Sequence, residues 1–365
     1  MFGLTYHRKS KSNLIPFAAA VSRRITKIQP LRLTNNDTEE ASVSFDNSFN
    51  GGVTQLQYRR NDTDVFEHWG LSALTIAPGE YIEIVGDNSE TQGFLGQFSM
   101  NGNNIEASGN VMSLIYGTKM TEGALVIPDG ISFGNPNPVV GGMFKDCSSL
   151  TTAPELPATT LVEGCYGYMF RNCSSLTAAP ELPATTLADG CYEGMFQGCS
   201  SLTTAPELPA TTLADDCYER MFQGCSSLTT APELPATTLA ERCYEYMLSE
   251  SGLTTAPELP ATTLAKWCYF GMFNGCSNLT AAPELPATRL EQCCYESMFS
   301  SCSRLASITV RFTLWNEDDL PLISQPTVNW CTGIGLREGV FICPPDLEIK
   351  RGRSYIPNNW TVITE

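Results

Sequence analysis

The sequence predicts an α+β protein: an N-terminal antiparallel β-sandwich, then a solenoid of 26-residue units, then an atypical C-terminal cap. Three observations predict it. The segment Leu-Pro-Ala-Thr begins at Leu156, Leu182, Leu208, Leu234, Leu259 and Leu285, which is four steps of 26 residues and one of 25. Ahead of it, short apolar-polar alternations recur at roughly ten-residue spacing between turn signals, as in a sandwich. Behind it the repeat lapses and Trp315, Trp330 and Trp360 appear. The expected parts are a basic arm over 1–30, a sandwich over 31–137, a solenoid over 138–310 and a capping region over 311–365.

The arm stands out by charge. The chain carries 22 Lys and Arg against 39 Asp and Glu, a net charge of −17. Yet Arg8, Lys9, Lys11, Arg23, Arg24, Lys27 and Arg32 are accompanied by no acid, so residues 1–32 hold +7 and the other 333 hold 15 − 39 = −24. A basic segment on an acidic body implies that the two meet different partners. The apolar stretch Leu14-Ile15-Pro16-Phe17-Ala18-Ala19-Ala20-Val21 is near the lower limit for a signal peptide, contains a proline and runs into Arg23-Arg24. An assembly arm is therefore expected, anchored through Arg8, Lys9, Lys11, Arg23, Arg24 and Lys27.

In the sandwich, Val43 and Phe45 alternate with polar residues, as do Leu56 and Tyr58. Tyr81-Ile82-Glu83-Ile84-Val85 follows the turn signal Pro78-Gly79-Glu80, and Phe94, Phe98 and Met100 come later.

Each repeat divides in two. In the first part Leu187, Cys191, Met195 and Cys199 stand four residues apart, which is helical spacing with one apolar stripe. The second part, Leu-Thr-Thr-Ala-Pro-Glu-Leu-Pro-Ala-Thr-Thr, reads as extended, with two prolines that limit any strand to a very short one. A 26-residue unit cannot bury its apolar face alone, whereas stacked copies can. The single 25-residue step follows from one lost residue at Glu250-Ser251-Gly252, where other units read Gly-Cys-Ser-Ser. The C-terminal aromatics would cover the last edge of the stack.

Little in the chain points to catalysis. Two histidines leave scant room for imidazole chemistry or a histidine-rich metal site. His68, Asp146 and Ser148 can be written as a triad, but no Cys/His motif, His-Glu-x-x-His or phosphate loop accompanies them. Thirteen of fifteen cysteines fall between Cys147 and Cys302 in two columns, eight apart within a unit, as in Cys165 and Cys173. That is no zinc spacing, so they are expected as buried free thiols. No metal or cofactor is expected. Glu155, Glu181, Glu207, Glu233, Glu258 and Glu284 form a ladder of like charge, expected to be solvated, with a row of cations as the sharper alternative. Excess acid argues against nucleic acid, and no run of about 18 apolar residues spans a membrane.

The variable positions carry the binding expectation. They flank the apolar stripe and should face outward, and Arg220, Arg242, Tyr246, Trp267 and Phe270 cluster there in the later repeats. Arginine with exposed aromatics is typical of contacts to protein or carbohydrate.

The repeat resembles the BspA-like leucine-rich repeats common in Bacteroidales surface proteins and in phages of those bacteria. The matching residues are Met195-Phe196-Gln197-Gly198-Cys199-Ser200-Ser201-Leu202 and Ala205-Pro206-Glu207-Leu208-Pro209-Ala210-Thr211, and the resemblance covers roughly residues 138–310. Ala107 to Tyr116 resembles a junction before such repeats, and Ile356 to Val362 resembles their usual end. The resemblance implies a right-handed solenoid, with a narrow sheet on one side and short helices on the other, that binds rather than catalyses. Together with the unconvincing export signal and thiols suited to a reducing compartment, it favours a phage virion component: a head fibre, decoration or tail-associated protein. The arm would anchor it to other virion proteins, and the solenoid would meet a host-surface protein or glycan. A secreted Bacteroidales adhesin at the cell surface, contacting other surface proteins, is the alternative. A homo-oligomer stays open.

Overall fold

The structure is a computed structural model that describes residues 29–48, 54–61, 63–70, 72–117, 126–134, 142–315, 325–335 and 338–365. The strands are β1 (Leu31–Asn35), β2 (Ala41–Asp46), β3 (Leu56–Arg60), β4 (Glu67–His68), β5 (Leu74–Ile76), β6 (Tyr81–Gly86), β7 (Gly93–Phe94), β8 (Gln97–Asn101) and β9 (Ile105–Ser108). A four-residue helix α1 (Ser113–Tyr116) follows, then β10 (Ile131–Ser132), β11 (Leu150–Thr152), β12 (Glu284–Leu285), β13 (Ser307–Val310), β14 (Val340–Cys343) and β15 (Thr361–Thr364). Among the described residues the protein is thus mostly strand and turn, with almost no helix.

Two sheets near the N-terminus follow from side-chain alternation. Leu31, Leu33, Ala41, Val43 and Phe45 point inward while their neighbours do not. One sheet runs β11-β9-β1-β6-β3-β4 and a second runs β5-β2-β8. Residues of both belong to one apolar cluster that continues through the repeats. Glu83, at 3% exposure, is held in the first sheet by two arginines. Arg32 reaches its Oε1 at 2.6 Å, and Arg59 reaches its Oε2 at 2.6 Å. Arg32, the last basic residue of the N-terminal segment, is therefore committed to the fold.

The repeat region overturns the α+β expectation. No helix lies there among the described residues. From Gly164 to Cys173 the backbone N–H groups alternate between two kinds of acceptor. Those of Tyr166, Tyr168, Phe170 and Asn172 donate to carbonyls of Cys191, Glu193, Met195 and Gln197 in the next unit, at 2.7–3.0 Å. Those of Met169, Arg171 and Cys173 donate three residues back, to Tyr166, Tyr168 and Phe170, at 3.1–3.2 Å. Each unit is a run of overlapping turns, bonded to its neighbour through every second residue. The backbone N–H groups of Tyr166 and of Tyr168 through Cys173 thus all find acceptors without a helix.

The turns need positive φ at every fourth residue, the sign pattern of a type II turn. In one unit these positions are Gly190, Gly194 and Gly198, at φ 58°, 55° and 76°. In the next they are Asp216, Arg220 and Gly224. The four-residue spacing of Cys191, Met195 and Cys199 is thus the period of successive turns. It lies close enough to 3.6 to pass for a helical stripe.

Stacking the units aligns their side chains in columns. Tyr166, Tyr192, Tyr218, Tyr244, Tyr269 and Tyr295 stack face to face with centroids 5.7–6.0 Å apart. Phe144, Phe170, Phe196 and Phe222 form a second column at 5.5–5.7 Å, which begins on Phe98 of β8, at 5.2 Å from Phe144. The second sheet and the stack therefore share one aromatic spine. All fifteen cysteines are free and buried. Sγ of Cys173, Cys199 and Cys225 donates to the carbonyls of Phe144, Phe170 and Phe196 at 3.0–3.2 Å. Burial pushes the Cys165, Cys199 and Cys217 thiols up to about 12, which keeps them protonated.

The extended side of each unit makes parallel bridges, such as Thr186 to Thr212 and Thr238 to Thr263. It becomes a regular parallel sheet only at the C-terminal end, in the order β12-β13-β14-β15. The stack continues past residue 310. Phe299 N–H donates to Trp330 O at 2.8 Å, so Trp330 takes the next place in the phenylalanine column. Residues 353–355 then bond over Thr327, Trp330 and Cys331.

Gly194 tests the turn geometry. A Cβ there would lie 2.3 Å from the Tyr168 ring of the preceding unit. Gly194→Ala should cost about 2–4 kcal/mol, from left-handed strain and overpacking together. Tyr168→Ala should relieve the steric part, giving a coupling of at least about 1 kcal/mol in a double-mutant cycle by chemical denaturation. Additive costs would contradict the packing.

Candidate interaction face

The turns leave two outward positions per four residues, and the second of each pair has positive φ. Arg220, Arg242, Tyr246 and Trp267 occupy such positions, with φ from 50° to 53°. Phe270 occupies a first position and immediately precedes Gly271, at φ 58°. Most side chains lose about 1–2 kcal/mol in this conformation, where glycine loses nothing. Glycine holds the equivalent position in neighbouring units, at Gly194 beside Arg220 and at Gly271 beside Tyr246. Large side chains persist here against a backbone cost.

The five residues form two adjoining groups. In the first, the Arg220 guanidinium bonds Glu219 and reaches Glu245 Oε1 at 3.4 Å. It also lies over the Tyr246 ring, 5.5 Å from the centroid, and Tyr246 meets Phe270 edge to face at 5.1 Å. In the second, Arg242 lies 5.6 Å over Trp267 and pairs with Asp216 at 3.4 Å and Glu241 at 3.2 Å. The outward expectation needs a correction of degree: all five are partly buried against the adjacent unit. The arginines are engaged with acids of their own chain rather than free for a ligand. Arg8, Lys9, Lys11, Arg23, Arg24 and Lys27 lie outside the described residues.

Several participants are not among the sequence candidates. Tyr168 lies two units before Arg220, with Gly194 between them; its hydroxyl donates to Glu193, and the Arg171 guanidinium lies 5.6 Å over its ring. Glu219 is buried, and Glu193 and Glu245 are partly so. Burial raises Glu193 above the ordinary glutamate value of 4.5, with the Tyr168 hydrogen bond opposing it. Burial likewise raises Glu245 against the pull of Arg220 and Arg242. The available signal was the column itself: Glu193, Glu219, Glu245 and Glu296 all follow Cys-Tyr directly.

No catalytic constellation assembles among the described residues. His68 sits exposed on β4, while Asp146 accepts a hydrogen bond from Asn172 Nδ2 at 2.8 Å. The chain holds one Gly-x-Ser-x-Gly string, Gly130-Ile131-Ser132-Phe133-Gly134. A nucleophile elbow needs an exposed hydroxyl on a strand-to-helix turn. Ser132 instead lies on β10, with Oγ bonded to the Gly134 backbone and to Gly164 O at 3.2 Å. No group of three His, Cys, Asp or Glu side chains among the described residues could hold a metal. No helix there is long and apolar enough to cross a membrane. The glutamate ladder is exposed throughout, and within it Glu284 pairs with Arg311 Nε at 2.6 Å.

No family model matches the chain, and no curated protein matches it. Among solved structures it is similar to a leucine-rich repeat protein from Bacteroides ovatus, at 15% identity. The match covers 72% of this chain and 96% of that one, with a TM-score of 0.21.

The raised glutamates fix a pH test. A carboxyl raised in the folded state binds more protons folded than unfolded, so its contribution to stability falls as pH rises from its unfolded value through its folded one. Removing both groups in Glu193→Gln/Glu245→Gln removes that dependence. The melting temperature of wild type minus that of the variant should therefore increase on going from about pH 7.5 to about pH 5. A difference that shrinks over this range would contradict the burial of these carboxyls.

Proposed function

We propose that this chain is a non-enzymatic binding protein of the BspA-like leucine-rich repeat kind, a sandwich followed by a solenoid, which serves as a phage virion component. Its repeat face would contact a host-surface protein or glycan, and its basic arm would hold it to the particle. The observation that carries the binding reading is the retention of Arg220, Arg242, Tyr246 and Trp267 at backbone positions that favour glycine. Strain of this kind gathers where a side chain serves a purpose other than stability. Aromatic rings beside arginines supply flat apolar area with directed polarity, which suits a sugar ring or a protein hot spot. The protonated, buried thiols are compatible with assembly in a reducing compartment.

The same strain separates binding from folding. Trp267→Gly removes about 1–2 kcal/mol of left-handed strain and loses about 0.5–1 kcal/mol of cation–π contact with Arg242. Trp267 is half-buried, so the variant also gives up ring packing on the adjacent unit, and its fold is checked by its melting temperature before binding is read. Its binding to Bacteroidales cells, read by flow cytometry of labelled protein, should weaken by about tenfold or more, as for an interface anchor. Unchanged binding by Trp267→Gly together with Tyr246→Gly would remove the basis of this reading.

A further inference from the structure

The glutamate ladder and the N-terminal segment are two like-charge features of opposite sign in the sequence. Glu155, Glu181, Glu207, Glu233, Glu258 and Glu284 are all exposed. The positions on either side of them are stacked in register, Ala178 on Thr204 and Thr186 on Thr212, and Thr230 on Thr255 and Thr238 on Thr263. Successive carboxylates therefore stand about one strand spacing apart, roughly 4.8 Å. Like charges at that spacing repel. Within the ladder only Glu284 has an ion-pair partner among the described residues, Arg311.

The path of the chain leads to the start of this ladder. Glu155 forms a parallel bridge with Asn110, and its N–H donates to Gly109 O at 2.8 Å. On the other side of Asn110, its N–H donates to Gln29 O at 3.2 Å. The order across the layers is thus Glu155, Asn110, Gln29, and Gln29 is exposed. Residues 1–28 join the body two layers from the first ladder glutamate. They carry Arg8, Lys9, Lys11, Arg23, Arg24 and Lys27, six cations with no acid, against six glutamates.

We propose that the basic segment 1–28 docks along the glutamate ladder of its own chain. Reach is ample: five layer steps cover about 24 Å, and 28 extended residues span up to about 90 Å. Each exposed pair contributes at most about 1 kcal/mol, so no single contact suffices. Tethering at Gln29 makes the encounter intramolecular, at an effective concentration on the order of millimolar, and six weak pairs then act together. Docking relieves the carboxylate repulsion and is salt-dependent, since the charges stay near solvent. A partner with a denser positive charge would displace the segment, so the ladder and the segment expose or mask each other.

Carbodiimide cross-linking of the full chain tests this, with equal parts of unlabelled and 15N-labelled protein mixed beforehand. The expected links join Lys27 to Glu155 or Glu181, and Lys9 or Lys11 to later ladder glutamates, within a single isotopic copy. They should disappear at about 1 M salt, where the screening length falls to about 3 Å. As a second readout, tryptic cleavage after Arg23 and Arg24 should quicken at least about fivefold in Glu155→Gln/Glu181→Gln/Glu207→Gln/Glu233→Gln, as expected if the segment is docked most of the time. Links only between isotopic copies would assign the ladder to a second molecule and overturn the proposal. Absence of ladder links, or equal cleavage rates, would overturn it as well.

Discussion

The repeat region depends on an alternation in its backbone hydrogen bonding. One N–H closes a turn three residues back, and the next crosses to the following unit, as at Met169 and Phe170. Neither half is stable alone. A single turn orders several dihedrals for one hydrogen bond, and a two-residue ladder is no sheet. The units therefore exist only as a stack, and the stack requires identical geometry at equivalent residues. Chemistry is strict where the columns pass: Tyr at 166, 192, 218, 244, 269 and 295, with the cysteine thiols donating to the phenylalanine carbonyls. A thiol is small enough for the interior and adds a second hydrogen bond to a carbonyl that already closes a turn, as at Phe170 O, which also accepts from Cys173 N–H. The unit with Ser251 in place of cysteine keeps the column, because Ser251 Oγ and Cys276 Sγ meet at 3.4 Å.

The same constraint shapes the candidate face. The second outward residue of each turn pair must adopt positive φ, so the stack offers corners where glycine is the least costly residue. Tyr168 over Gly194 and Tyr246 over Gly271 show how a large side chain at one corner occupies space that a glycine leaves at the next. Arg220 and Arg242 add charge to this large-small pattern while balancing the buried Glu219 and the half-buried Asp216. The face is thus preorganised from one unit to the next, which lowers the ordering cost of a binding event.

The period of the stack was legible because repetition is a property of the sequence itself. So were β2 and β3, from the alternation at Val43 and Phe45 and at Leu56 and Tyr58, and β6, which follows the turn signal Pro78-Gly79-Glu80. The helix expected at Leu187 to Cys199 failed because a four-residue turn period and a 3.6-residue helix place apolar side chains almost alike. The distinguishing signal was in plain sight. Gly190, Gly194 and Gly198 fall every fourth residue, and each would cost about 1 kcal/mol inside a helix. Two-residue strands such as β4, β7 and β10 were not legible, since long-range pairing alone defines them. Trp330 replaces phenylalanine after a gap of 31 residues from Phe299, so its place in the column could not be counted out. Of the face, Arg220, Arg242, Tyr246, Trp267 and Phe270 were visible as departures from the repeat. Glu193 and Glu245 were not, because their burial arises only on stacking.

One measurement bears most directly on this account: scalar couplings across hydrogen bonds, recorded by NMR on deuterated protein. The alternation predicts a correlation from the Tyr192 amide nitrogen to the Cys217 carbonyl carbon, one unit away. A correlation to the carbonyl of Ala188, four residues back as in an α-helix, would contradict it.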